Sequence, residues 1–306
     1  MQASSFIVFQ AYGNESILQE CLFALLSISK QHIAAELADV EIYIYTDQEK
    51  WFRDKCKGSS LPLKFRTING DDLKKWRGEI DFVHRVKIEV LRDMAKTVSG
   101  AILYLDTDVW FLNPVMHMLQ EIQAGKLYMH IQESVIKDDG NPVFAKLHKF
   151  LVKNNPLQVN GKPLNVSTES VMWNAGVLGF HTKYAHLLDQ VLQFTDDVYT
   201  QFHKHVVEQF AFSFYFQNTS FIHSAAREIF HYWHFKEMRN YLSSFFQFFE
   251  KDSWSDLVKH TELIQWHAPM QDKCSFYQNR NGWNKMRRKR WIPVIPDWKR
   301  LLQQMS

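Results

Sequence analysis

Residues 101–108 read Ala101-Ile102-Leu103-Tyr104-Leu105-Asp106-Thr107-Asp108. Five consecutive apolar residues, preceded by Gly100 and followed by two carboxylates, fit a strand buried on both faces with a polar carboxyl end. Upstream, Val83, Val86, Val90, Leu91, Met94 and Val98 recur at three- and four-residue spacing, an amphipathic helix that Gly100 ends. Earlier still, residues 63–68 alternate as a strand, 48–57 suit a helix, and 40–47 form a strand ending in Thr46-Asp47. Leu18, Leu22, Leu25, Leu26 and Ile28 lie on a helix that Ser16 is expected to cap, and 6–9 form the first strand. This alternation predicts an α/β fold, a mostly parallel central sheet with helices on both faces. Downstream, 154–168 reads as a loop, 174–180 as a strand entered through small residues, and 183–217 as largely helical. His231-Tyr232-Trp233-His234-Phe235-Lys236 then leads to a further helix.

Ligands of such sheets lie outside the carboxyl ends of the strands. Thr46-Asp47 and Asp106-Thr107-Asp108 both fall on that edge. In extended backbone Asp106 and Asp108 point the same way. Two converging carboxylates beside an apolar strand repel unless a cation lies between them, and hard divalent ions such as Mn²⁺ or Mg²⁺ take oxygen ligands and bridge to diphosphates. Two other readings stay open. An isolated Asp-x-Asp is often a solvated turn, and Asp106-Thr107-Asp108-Val109 also fits the short pattern of haloacid-dehalogenase-type phosphatases. That pattern normally opens its fold, however, and the later acidic pair Asp196-Asp197 sits in a helical stretch.

The chain has 306 residues, 46% hydrophobic and 23% charged, which suits one large domain or one domain with a C-terminal elaboration. Three cysteines, Cys21, Cys56 and Cys274, without a Cys-x-x-Cys pair argue against a zinc ribbon or a disulfide framework. The N-terminus lacks the pattern of a signal peptide, and no run of about 18 apolar residues occurs, so a cytoplasmic protein is expected. Net charge is +3, yet residues 283–300 hold seven Lys or Arg and one Asp, a local +6 that leaves the remainder at −3. Trp283, Trp291 and Trp298 interleave with these cations. The combination suits peripheral contact with an anionic membrane face. No nucleic-acid recognition motif accompanies the charge.

The sequence resembles the GT-A glycosyltransferases, most closely glycosyltransferase family 8, the glycogenin and lipopolysaccharide-galactosyltransferase type. The likeness rests on the residues of 102–109, then Asn174-Ala175-Gly176-Val177-Leu178-Gly179, then Glu208-Gln209, then His231 with Lys236, in that order across about residues 6–240. It implies a GT-A domain over 1–250 with a basic, aromatic extension over 251–306. It further implies metal-dependent hexose transfer from a nucleotide-diphosphate sugar, expected to be a UDP-sugar, to a glycan or glycolipid, with retention of configuration. Asp106, Asp108 and His231 would hold Mn²⁺ or Mg²⁺, with Lys236 on the diphosphate. Ala11, Tyr12, Thr46, Asp47, Arg85 and Lys87 would meet the nucleotide, while Asn174, Ala175 and Gly176 line the sugar pocket. Glu208 and Gln209 would stand beside the reacting carbon. The sequence departs from the family pattern after His231, where the interval to Lys236 is one residue short and the usual Gly and Pro-Trp are missing. His234 is therefore a rival metal ligand. A non-catalytic nucleotide or sugar binder of the same fold is the alternative reading.

Overall fold

The computed structural model describes residues 4–137, 141–278 and 291–305. Its centre is a seven-stranded sheet made of β1 (Ser5–Gln10), β2 (Val40–Thr46), β3 (Leu63–Thr67), β4 (Ala101–Leu105), β6 (Leu127–Met129), β11 (Val177–His181) and β12 (Ile222–Ser224), in the order β12-β6-β11-β4-β1-β2-β3. Six strands run in one direction. Only β11 is reversed, pairing antiparallel with β4 on one side and β6 on the other. Three two-stranded ribbons accompany the sheet: β5 (Val109–Phe111) with β13 (Ile229–His231), β7 (Gln132–Val135) with β10 (Val171–Trp173), and β8 (Leu157–Val159) with β9 (Lys162–Leu164).

Strand side chains alternate between two cores, as the pleat requires. Ile7, Phe9, Ile42, Leu103 and Leu105 face one core, built with α1 (Glu15–Gln31), α5 (Met116–Gln123), α9 (Met238–Phe248) and α10 (Trp254–His260). Phe6, Val8, Ile102, Tyr104 and Leu178 face the other. That core is built with α4 (Arg85–Thr97), α6 (Pro142–Asn154), α7 (His186–Tyr199) and α8 (Val206–Thr219). Helices thus cover both faces, and central strands such as Ala101–Leu105 are buried throughout. Truncating a phenylalanine such as Phe210 or Phe245 in either core costs about 3–5 kcal/mol.

Several boundaries differ from expectation. Helix α1 begins at Glu15 with Asn14 at the cap position, so Ser16 lies in the first turn instead of preceding it. The stretch 154–168 contains the β8–β9 hairpin, whose tip Asn160-Gly161 adopts positive φ at both residues, the twist that tight hairpins select. The helical stretch 183–217 is two helices, α7 and α8, separated by 200–205.

In the C-terminal segment, Trp254, Leu257, Leu263, Trp291 and Trp298 join the core that α1 and α9 line. The indole N–H of Trp298 donates to Ser244 Oγ and that of Trp291 to Asp272 Oδ2. Of the basic, aromatic tail, residues 283–290 lie outside the described residues. Trp291 and Trp298 are core residues and not surface aromatics, while Lys299 and Arg300 are exposed. No helix among the described residues is long and apolar enough to cross a membrane.

Candidate metal centre

At the carboxyl edge the chain leaves β4 into Asp106-Thr107-Asp108 and continues directly into β5. Because β11 is reversed, its lead-in, Asn174-Ala175-Gly176, reaches this same edge, and the Asp106 amide donates to Gly176 O at 2.8 Å. Strand β5 pairs with β13 in a register that sets His231 opposite Val109, and the Tyr232 amide donates to Asp108 O at 3.0 Å. Backbone pairing thus brings a histidine 123 residues downstream onto the carboxylate. One ligand atom each from Asp106, Asp108 and His231 lies within 4.8 Å of the others.

Hydrogen bonds fix which nitrogen of His231 faces the carboxylates. Asn174 Nδ2 donates to Glu133 Oε1 at 3.0 Å, which orients the amide so that Oδ1 faces the imidazole. Oδ1 accepts from the Gly176 amide and lies 2.8 Å from His231 Nδ1, so Nδ1 carries a proton. In the neutral ring Nε2 then presents its lone pair to Asp108 Oδ1, 3.0 Å away. A lone pair and a carboxylate at that distance repel unless a proton or a cation joins them. Two carboxylates and one imidazole, oriented from behind by an amide, suit a divalent ion such as Mn²⁺ or Mg²⁺. Gly176 is part of this construction, since a Cβ there would lie 2.0 Å from His231 Cε1. His234 is exposed, with Nε2 on Met270 Sδ at 3.0 Å, so of the two histidines only His231 joins the carboxylates.

Cations ring the cluster. Lys236 Nζ donates to Asp108 Oδ2 at 2.5 Å. Burial opposes ionisation of Asp108, but His231 and Lys236 outweigh it and hold the carboxyl well below its usual range. Lys87, on the first turn of α4, is buried and donates to Asp106 Oδ2 at 3.3 Å and to Ala175 O at 2.9 Å. Its Nζ also lies 3.3 Å from Glu208 Oε1, an ion pair between two buried groups. Burial works against the Lys87 charge, yet Asp106 and Glu208 raise its pKa overall. Burial pushes the Glu208 carboxyl up to about 7, against the pull of Lys87. Tyr12, His84, Lys87, Asp106, Asp108 and Lys236 share a cavity of about 260 Å³.

The remaining expected residues fall in three places. Ala11, buried, and Tyr12 follow β1, with the Ala11 amide on Tyr45 O, and the exposed Asp47 accepts from the amide of Gly13, whose φ is +83°. Thr46 is buried, and its Oγ1 accepts from the Gln48 amide. Arg85 is turned away from the cavity. It forks onto Asp196 at 2.7 and 3.1 Å and also donates to Trp76 O and Glu89. Gln209 faces a different cavity, bonded to Glu133 at 2.8 Å.

The sequence reading missed Glu20, Arg239, His84 and His130. Glu20 is fully buried in α1 and accepts two bonds from Arg239, at 3.0 Å each, which fixes a guanidinium on the cavity wall. An acid immediately before the apolar run Cys21-Leu22-Phe23-Ala24-Leu25-Leu26 was the available signal. Burial and Lys87 lower His84 to about 4, and burial and His231 lower His130 to about 4, so both rings are neutral at pH 7. His130 stands edge-on to His231, 5.4 Å between centroids.

No family model matches the chain, and no curated protein matches it in sequence. Among solved structures it is similar to the apo form of mouse xyloside xylosyltransferase 1, at 12% identity and TM-score 0.47 over 73% of this chain and 85% of that one. It is also similar to the Streptococcus pneumoniae TIGR4 glycosyltransferase GlyE, at 11% identity and TM-score 0.48 over 87% of this chain and 66% of that one. The apo form of GlyE gives 12% identity and TM-score 0.47, with 63% of its chain spanned.

Proposed function

We propose that this protein is a metal-dependent glycosyltransferase of the GT-A type that moves a hexose from a nucleotide-diphosphate sugar, a UDP-sugar by the family 8 resemblance, to a glycan or glycolipid acceptor. The observation that carries the reading is the convergence of Asp106, Asp108 and His231 with Lys236 at the carboxyl edge of a parallel sheet. That set matches what a departing diphosphate needs, namely oxygen ligands for a divalent ion and an adjacent ammonium.

Asp106, Asp108 and His231 would hold Mn²⁺ or Mg²⁺, which when bound neutralises charge on the leaving diphosphate. Lys236 would bind a diphosphate oxygen, and Arg239, held by Glu20, is near enough on the same wall to assist. Tyr12, with the Ala11 and Asp47 turn beside it, would meet the nucleoside, and Asn174, Ala175 and Gly176 would bring backbone close to the sugar. In the reaction the bond from the anomeric carbon to the diphosphate breaks, a bond to an acceptor hydroxyl oxygen forms, and the hydroxyl proton passes to the departing diphosphate. Retention follows from the resemblance. Glu208 would act through Lys87 on Asp106, as a positioning residue, while Gln209 stands toward the acceptor. The catalytic unit would span 1–250, with 251–306 as a covering extension whose cations at 283–300 favour peripheral contact with an anionic membrane.

Calorimetry with UDP, with and without Mn²⁺, on the wild type and on Asp108→Asn tests this. Tight binding that requires Mn²⁺ and is lost in the variant is the expected result. Absence of UDP binding with any divalent metal would remove the transferase reading.

A further inference from the structure

A second and larger cavity, about 660 Å³, opens on the other side of Asn174 from the metal centre. Ile131, Glu133, Phe144, His205, Gln209 and Trp233 line it. Its wall is joined to His231 of the metal centre by a run of hydrogen bonds that starts at Nδ1, the nitrogen turned away from the carboxylates. His231 Nδ1 meets Asn174 Oδ1, Asn174 Nδ2 donates to Glu133 Oε1, and Gln209 Nε2 donates to Glu133 Oε2. Trp233 belongs to both sites. Its ring lies 5.1 Å from that of His231 and 5.7 Å from that of His130, centroid to centroid, and it also faces the cavity.

The lining has a distinct chemistry. Among the described residues it carries one carboxylate, Glu133, and no Lys or Arg. Each Glu133 oxygen already accepts one amide N–H and keeps room for another donor. A ligand bearing phosphate or carboxylate would meet that carboxylate with no lysine or arginine to offset the repulsion. A polyhydroxylated ligand instead finds acceptors at Glu133, the Gln209 amide, and flat apolar area on the half-buried Trp233. Large rigid aromatic surface gives contact at small conformational cost. A volume of this size, within the range of ligand pockets, suits more than one sugar ring.

We infer that this cavity binds the acceptor, and that the acceptor end it takes is an uncharged glycan of two or more residues. The inference rests on the glycosyltransferase reading for the word acceptor, but not for the charge class of the ligand. The hydrogen-bond run makes Glu133 a positioning residue as well, since the carboxylate that contacts the glycan also orients Asn174 and, through it, His231.

Saturation-transfer NMR on the full chain tests this, with lactose, maltose and cellobiose as neutral probes and their 6′-phosphates as charged counterparts, alongside UDP–Mn²⁺ calorimetry on the same samples. At least one neutral disaccharide is expected to bind, at least fivefold more strongly than its phosphate. Trp233→Ala and Ile131→Trp should each weaken that binding about tenfold. The second fills the cavity from an exposed side chain that does not line the charged cavity, so it should leave UDP–Mn²⁺ affinity within twofold. UDP–Mn²⁺ binding with no neutral disaccharide bound, or with the phosphates preferred, would overturn the inference. It would also be overturned by disaccharide binding indifferent to Ile131→Trp. Disaccharide binding sensitive to Ile131→Trp in a protein that binds no UDP would uphold the neutral-glycan cavity and overturn the transferase reading instead.

Discussion

The two sides of the Asn174–His231 wall are built on opposite principles. On one side, a cavity of about 260 Å³ is crowded with charge, from Lys87, Asp106, Asp108, Lys236 and Arg239, much of it buried or half-buried. On the other, a cavity of about 660 Å³ holds one carboxylate among amides and aromatic rings. The charged side is fixed by elements of the main sheet and by backbone pairing between β5 and β13. The neutral side is framed by the ends of α6 and α8 and by the short ribbon strand β7. Buried charge is stable only when each group is paired, so that side has little freedom in shape. A polar wall with a single carboxylate tolerates substitution more readily. On the proposed function, recognition of the constant part of the ligands would belong with the first, and of the variable part with the second.

The most damaging way to break this contrast is through the wall itself. Gly176→Ala puts a Cβ 2.0 Å from His231 Cε1, so the imidazole must move. Metal-dependent UDP binding should fall about a hundredfold by calorimetry, with about 1–3 kcal/mol lost in urea unfolding. Next, Lys236→Met removes a partly exposed cation from the charged side. It should lower the rate of UDP-sugar hydrolysis about 10²-fold while the affinity for neutral disaccharides stays unchanged.

Glu208 sharpens the contrast through pH. Its carboxyl sits at about 7 in the folded protein against 4.5 as the ordinary value. Between those pH values the unfolded chain has released this proton while the folded one retains it. This group's contribution to stability is therefore full below about 4.5 and declines as pH rises to about 7, by a few kcal/mol. Unfolding of Glu208→Gln, measured at pH 5 and pH 8, should show a smaller decline than the wild type. The smallest effect on the cleft is expected for Arg85→Lys. Its fork onto Asp196 lies outside both cavities. Stability should drop by about 1 kcal/mol, with UDP–Mn²⁺ affinity within twofold of wild type.

Local pattern made the parallel sheet and the Asp106–Asp108 pair readable, because apolar runs and period-two geometry are properties of short segments. His231 was reachable only by resemblance. Its approach to Asp108 depends on the β5–β13 register, which joins residues far apart in sequence. The choice between His231 and His234 was open for the same reason; the Asn174 side chain and the Tyr232 amide set His231, and not His234, beside the carboxylates. Arg85 and Lys87 looked equivalent in sequence. Two positions apart on α4 they point about 200° from each other, so one reaches Asp106 and the other Asp196. The Asn160-Gly161 turn carried a strong hairpin signal that a merely compositional reading took for loop. Trp298 offered no such signal, since its burial depends on Ser244 of a distant helix.

The Lys236–Asp108 bond has a consequence for the order in which ligands arrive. A divalent ion taken up between Asp108 Oδ1 and His231 Nε2 would share that carboxylate with an ammonium already seated on Oδ2 at 2.5 Å, so ion and lysine would compete for one negative charge. The other carboxylate that the ammonium senses, Glu20, is already held by Arg239, so a loosened Lys236 is stabilised best by an incoming anion. Metal and diphosphate should therefore bind with positive cooperativity: weak apparent affinity for Mn²⁺ alone, and a marked rise once a nucleoside diphosphate is present. The protein would keep its own lysine as a competitor for the metal until the substrate offers that lysine a better partner.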